Sequence, residues 1–70
     1  MQKSHECFIA LCNTMHFTRA AEHLHITQQA LSDQIRRLEI DLNTQLFVRK
    51  PKLSLTPAGS IFLDFLLQKA

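Results

Sequence analysis

Residues Phe17 to Arg37 read FTRAAEHLHITQQALSDQIRR. Two short amphipathic patterns meet in this stretch across a polar corner. The first runs from about Arg19 to His25, with Ala20, Ala21 and Leu24 as its apolar stripe and Thr18 as the expected N-cap. Its two alanines are small enough to let another helix cross closely. His25-Ile26-Thr27 forms the corner, and Thr27 is placed to cap the next helix, expected from Gln28 to about Asp41. Leu31, Ile35, Leu38 and Leu42 fall on one face of that helix. At 100° per residue, Gln29, Asp33 and Arg36 point the opposite way, with Ser32 and Arg37 beside them. A helix that offers amides, a hydroxyl and arginines outward is built to face the edge of a DNA groove.

Working outward from this block, residues 3–14 predict a first helix, with Ser4 as a candidate cap and Phe8, Leu11, Cys12 and Met15 at helical spacing. Asn43 follows the third helix where a left-handed residue is expected, a conformation Asn tolerates well. The period then changes. Leu46-Phe47-Val48-Arg49 and Leu53-Ser54-Leu55 are β-prone pieces around a basic turn, Lys50-Pro51-Lys52, which predicts a small hairpin. Thr56-Pro57 is a cap followed by proline at the first helical position. The fourth helix carries Ile61, Phe62, Leu63, Phe65, Leu66 and Leu67, more apolar residues than one buried stripe uses. Part of that surplus is expected to meet the same helix of a second subunit, with Ile61, Phe62, Phe65 and Leu66 at the dimer interface. The fold class is therefore mainly α: a winged helix-turn-helix over residues 1–56, with a three-helix core and a two-stranded wing, followed by a dimerisation helix over residues 57–70.

Composition agrees and narrows the function classes. Seventy residues with 46% apolar content allow one domain with one small core. No apolar run reaches the twenty residues of a membrane span, and Ser4, His5 and Glu6 interrupt any signal-peptide pattern. Cys7 and Cys12 lie five positions apart on one predicted helix, too divergent for a disulfide. Free thiols without an export signal place the chain in the cytoplasm. Cys12 and His16 are the one pair at i, i+4 spacing, and His5, His16, His23 and His25 share no ligand pattern, so no metal and no cofactor are expected. No nucleophile–base pair, Gly-rich loop or pair of carboxylates is recognisable, which argues against an enzyme. The net charge of +2 is uneven: from Leu42 to Leu63 there is no acid, while Arg49, Lys50 and Lys52 are all basic. Such a cluster guides a polyanion even on a nearly neutral domain.

Taken together, Phe8 to Cys12, the F-T-R-A-A-E-x-L-H-I-T-Q block, A-L-S-x-Q-I-R-R-L-E, L-F-V-R and L-T-P-A-G resemble, in order and spacing, the N-terminal DNA-binding domain of LysR-type transcriptional regulators. The resemblance spans nearly the whole chain. It implies a protein about four times longer, with a C-terminal domain for a small-molecule effector, so this chain reads as a fragment ending inside the fourth helix. It also implies dimers, often tetramers, on interrupted inverted repeats of double-stranded DNA, the wings flanking the recognition helix. Departures from the family pattern are Met15-His16 for a frequent Gly-Ser or Gly-Asn, Asn43 for the usual Gly, Gln29 for Pro or Ser, Asp33 for Arg, His or a neutral polar residue, and Ile40 for an acid.

Roles follow for individual side chains. Gln28 and Gln29 open the recognition helix, where a glutamine amide can bond adenine N6 and N7 together; the alternative is a solvated helix N-terminus. Ser32 touches a base edge or a phosphate, or bonds back to the carbonyl of Gln28. Asp33 either accepts from cytosine N4 or, the preferred reading, pairs with Arg36 or Arg37. Arg36 meets phosphate, or guanine if the helix sits deep, the alternative being a solvated charge on an exposed face; Arg37, less well aimed, joins the backbone contacts or holds Glu39, Asp41 or Asp33. Thr18 and Thr27, at helix N-termini, complete the expected backbone contacts. Arg49, which matches the family's wing arginine, is expected to enter the minor groove with Lys50 and Lys52; the alternative, above all for the two lysines, is a solubilising turn. The rival reading is a winged helix used for protein–protein contact.

Overall fold

The computed structural model describes residues 3–69. Four helices, α1 (Lys3–Thr14), α2 (Phe17–Leu24), α3 (Gln28–Leu42) and α4 (Pro57–Lys69), frame a two-stranded wing, β1 (Phe47–Val48) and β2 (Ser54–Leu55). The strands are antiparallel, with Phe47 opposite Leu55 and Val48 opposite Ser54. This is the winged helix-turn-helix anticipated from the periodicities. Leu31, Ile35 and Leu38 of α3 are buried against Cys7, Phe8 and Leu11 of α1 and Ala20 and Ala21 of α2. Phe8 is the hub of the aromatic packing, with its ring 5.5 Å from that of Phe47 and 5.2 Å from that of Phe62. Burial of each such large side chain contributes about 1.5–3 kcal/mol.

Helix ends explain the spacing of the elements. At the close of α2, His25 adopts the left-handed conformation, with φ of 58°. Its N–H donates to the Glu22 carbonyl at 3.2 Å and that of Ile26 to the Ala21 carbonyl at 3.0 Å, a Schellman motif that makes the corner. Thr27 then caps α3, its Oγ1 accepting from the Ala30 N–H at 3.0 Å. Asn43 ends α3 with φ of 52°, its N–H donating to the Ile40 carbonyl at 3.0 Å and that of Thr44 to the Glu39 carbonyl at 2.9 Å, the same motif. Met15 is the third non-glycine residue with positive φ, at 50°. Both Met15 and Asn43 stand where the family pattern has glycine.

Three expectations about these ends are corrected. Thr18 is not the cap of α2. The helix starts one residue earlier at Phe17, with His16 in the cap position and no side-chain cap bond. Anchoring of the half-buried Phe17 ring against the core, together with the left-handed turn at Met15, outweighs the capping preference of Thr18. Ser4 lies inside α1 rather than at its cap. Leu42 is not buried with the rest of its stripe but 41% exposed, because the last turn of α3 faces a groove that it shares with α4.

The wing is tied to the helical core at its base. Glu39 Oε2 accepts from the N–H groups of Leu46 (2.8 Å) and Phe47 (3.2 Å), so the last turn of α3 holds the first strand. Thr56 Oγ1 donates to the Gln45 carbonyl at 2.6 Å and accepts from the Gly59 N–H at 2.9 Å, joining the wing to the start of α4. Gly59, the one glycine of the chain, is required by close approach: a Cβ there would collide with the Leu46 carbonyl oxygen.

Candidate nucleic-acid interface

Polar residues of α3 line up as the helical period demands. Gln28, Gln29, Asp33, Arg36 and Arg37 are exposed, and Ser32 is half-buried at the edge of the same face. Gln28, Gln29 and Ser32 border a depression shared with Phe17 and Arg49, so the start of the recognition helix and the first strand's end form one surface. Thr18 is exposed in the first turn of α2, and Thr27 is exposed at the cap of α3.

Three side-chain contacts on this surface differ from expectation. Asp33 accepts from Gln29, Nε2 to Oδ1 at 3.1 Å, rather than pairing with Arg36 or Arg37. One turn separates the two residues along the helix, and the short Asp side chain meets the longer amide with little reorganisation. Arg36 and Arg37 are left exposed. Ser32 does not bond back to Gln28: its Oγ accepts from Arg49 Nη1 at 3.0 Å. The serine proton therefore remains available for an acceptor such as a phosphate oxygen. Arg37 does not hold Glu39, whose carboxylate is spent on the wing backbone.

Arg49 is the residue whose placement changes most. Its guanidinium carbon sits 4.8 Å from the centroid of the Phe17 ring while Nη1 reaches Ser32. The side chain thus lies back against α2 and α3 instead of reaching out with Lys50 and Lys52, which are exposed at the wing tip. Cation–π attraction and a charge-assisted hydrogen bond act together there. Neither this clamp nor the Glu39 anchor was among the sequence expectations. The F-T-R and L-F-V-R segments name two of the three clamp residues without showing that they touch.

Away from this surface, Leu42, Leu46, Ala58, Ile61, Phe62 and Phe65 line an apolar groove. Ile61 is 70% and Phe65 50% exposed, and Phe62 is half-buried against Phe8 and His5. Leu66, expected at a dimer interface, is buried in the chain's own core. It faces inward because α4 must close the core over Phe8 and Phe47, and one stripe of the helix is used for that. Among the described residues no group of His, Cys, Asp and Glu side chains gathers as a metal site, and no helix is long and apolar enough to cross a membrane. Both thiols are free; burial pushes the Cys12 thiol up to about 11 and raises that of Cys7, where nearby Lys3 partly offsets it.

Known proteins carry the same arrangement. Among solved structures, a LysR-family transcriptional regulator from Eggerthella lenta superposes with a TM-score of 0.87 at 47% identity, covering 94% of this chain and 97% of that one. A BenM DBD in complex with catB site 1 DNA superposes with a TM-score of 0.89 at 34% identity, covering 97% of this chain and 79% of that one. Among curated relatives, the HTH-type transcriptional regulator CatR of Pseudomonas putida is 53% identical over 57 residues, which are 81% of this chain and 20% of CatR. The Hca operon transcriptional activator HcaR of Escherichia coli (strain K12) is 51% identical over 58 residues, again 81% of this chain and 20% of the relative. The chain thus spans about a fifth of the length of these relatives. Residues 3–60 match the family model described as bacterial regulatory helix-turn-helix protein, lysR family, and the chain belongs to that family.

Proposed function

We propose that this chain is the DNA-reading part of a LysR-type transcriptional regulator, acting in the cytoplasm as a homodimer on an inverted repeat of double-stranded DNA. The observation that carries the reading is the exposed polar face of α3, opening with Gln28 and Gln29, beside a wing whose tip is basic. Residues 28–41 enter the major groove, where Gln28, Gln29, Ser32 and Asp33 meet base edges. Thr18, Thr27, Arg36 and Arg37 meet the phosphate backbone, Thr18 with the N–H groups that the first turn of α2 leaves unpaired. Lys50 and Lys52 approach the minor groove, and Arg49 holds the wing in register with α3. Ile61, Phe62 and Phe65, on the apolar groove of the dimerisation helix over residues 57–70, supply the dimer contact. The reading unit is residues 1–56.

In vitro selection of bound duplexes from a random pool tests this. Two related half-sites of inverted orientation at fixed spacing are the expected outcome, since a two-fold dimer imposes its symmetry on the site. Selection of a single half-site would contradict the dimer, and failure to enrich any sequence would favour the protein–protein module instead.

A further inference from the structure

The contact between Gln29 and Asp33 has consequences for which bases the helix accepts. An amide can face either way round, but a carboxylate only accepts hydrogen bonds. With Asp33 Oδ1 3.1 Å from it, the Gln29 nitrogen is fixed toward Asp33 and Oε1 is turned away. Both residues are exposed on the outer face of α3. What the pair offers outward is therefore dominated by acceptors: Gln29 Oε1 and the second Asp33 oxygen, with a single amide hydrogen left over. Major-groove edges differ on this point. Adenine presents the N6 amino donor beside the N7 acceptor, and cytosine presents the N4 amino donor. Guanine presents two acceptors, N7 and O6. Guanine opposite this pair sets two acceptors against a carboxylate and a single amide hydrogen, so at least one acceptor lacks a donor, a costly arrangement once water is excluded.

We propose that Gln29 and Asp33 act as one specificity-determining unit that selects bases presenting an exocyclic amino group in the major groove, adenine N6 or cytosine N4, and rejects guanine. Adenine is preferred, because N6 satisfies Gln29 Oε1 and N7 takes the remaining amide hydrogen. Asp33 acts in two ways: it positions the Gln29 amide, and its charge excludes guanine. This rests on the DNA-reading function proposed above and adds the base class that the helix reads.

Random-pool selection with the wild-type chain, Asp33→Asn and Gln29→Ala tests the unit, with folding of each variant checked by circular dichroism. In the wild-type pool, adenine is expected to exceed guanine by about tenfold or more at one half-site position. Asp33→Asn keeps the shape but adds a donor and removes the charge, so guanine should return to within about threefold of adenine there. Gln29→Ala keeps the carboxylate, so guanine should stay depleted while the adenine preference is lost. This separates a reading unit from a surface pair that only supports the helix, which would leave all three pools alike. A wild-type pool depleted in guanine at no half-site position, or an Asp33→Asn pool indistinguishable from wild type, overturns the proposal while leaving DNA binding intact. Absence of salt-dependent binding to any duplex overturns the proposal and the DNA-reading function together.

Discussion

Arg49 shows how a residue named by its position in a motif takes its role from contacts elsewhere. Phe17, Ser32 and Arg49 come from α2, α3 and the wing, and the guanidinium touches both partners. The stack and the hydrogen bond share one cation, so their effects should not add. In a double-mutant cycle of Arg49→Ala and Phe17→Leu by thermal denaturation, a coupling of about 0.5–1 kcal/mol is expected. Additive effects would mean that the stack contributes nothing. The thiols give a second expectation at this scale. Burial raises Cys12 to about 11 from the ordinary 9.0 and also raises Cys7, so the folded chain holds those protons where the unfolded chain releases them. Their contribution is fully present below about pH 9 and is lost as pH rises through 9 to 11. Denaturant midpoints should fall across that window, and less so in Cys12→Ala.

Helix ends decide where each element sits. His25 is exposed and left-handed, a conformation that costs a non-glycine residue about 1–2 kcal/mol, while glycine adds about 0.5–1 kcal/mol of unfolded-state entropy. His25→Gly should therefore be neutral to stabilising by about 1 kcal/mol, a rise of roughly 4–8 °C in Tm at most. A drop in Tm would show that the histidine side chain makes a contact that outweighs the strain. The same elements show what was legible in the sequence. Helical periodicity gave four helices in the right places, and Thr27, Asn43 and Thr56 end or start helices as their chemistry suggests. Thr18 was misleading because a capping preference of about 1 kcal/mol is outweighed by burying the Phe17 ring. Glu39 and Arg49 were illegible for another reason. Their partners lie seven to thirty-two positions away, and the pairings exist only once α2, α3 and the wing have been brought together.

On the scale of the whole molecule, two faces have opposite character. One carries the outer face of α3, with Gln29 joined to Asp33 and two exposed arginines, beside the lysines of the wing tip. The other is the apolar groove of Leu42, Ile61 and Phe65 along α4. Both surfaces are open at once, as the proposed DNA contact and the proposed dimer contact require. Leu42 and Leu66 show how far α4 could be read in advance. Its surplus of apolar residues was plain, but which stripe closes the core and which stays exposed depended on where Phe8 and Phe47 sit. Everything proposed for this molecule depends on the face of α3 and the wing binding the phosphate-bearing duplex. The most direct measurement is an anisotropy titration of the chain and its Lys50→Ala/Lys52→Ala variant against a mixed-sequence duplex at several salt concentrations from about 50 to 200 mM. Steep loss of wild-type affinity with salt is expected, with a log–log slope shallower by about 2 in the variant, one for each phosphate contact removed. Affinity that ignores salt, or a variant with the wild-type slope, would contradict it.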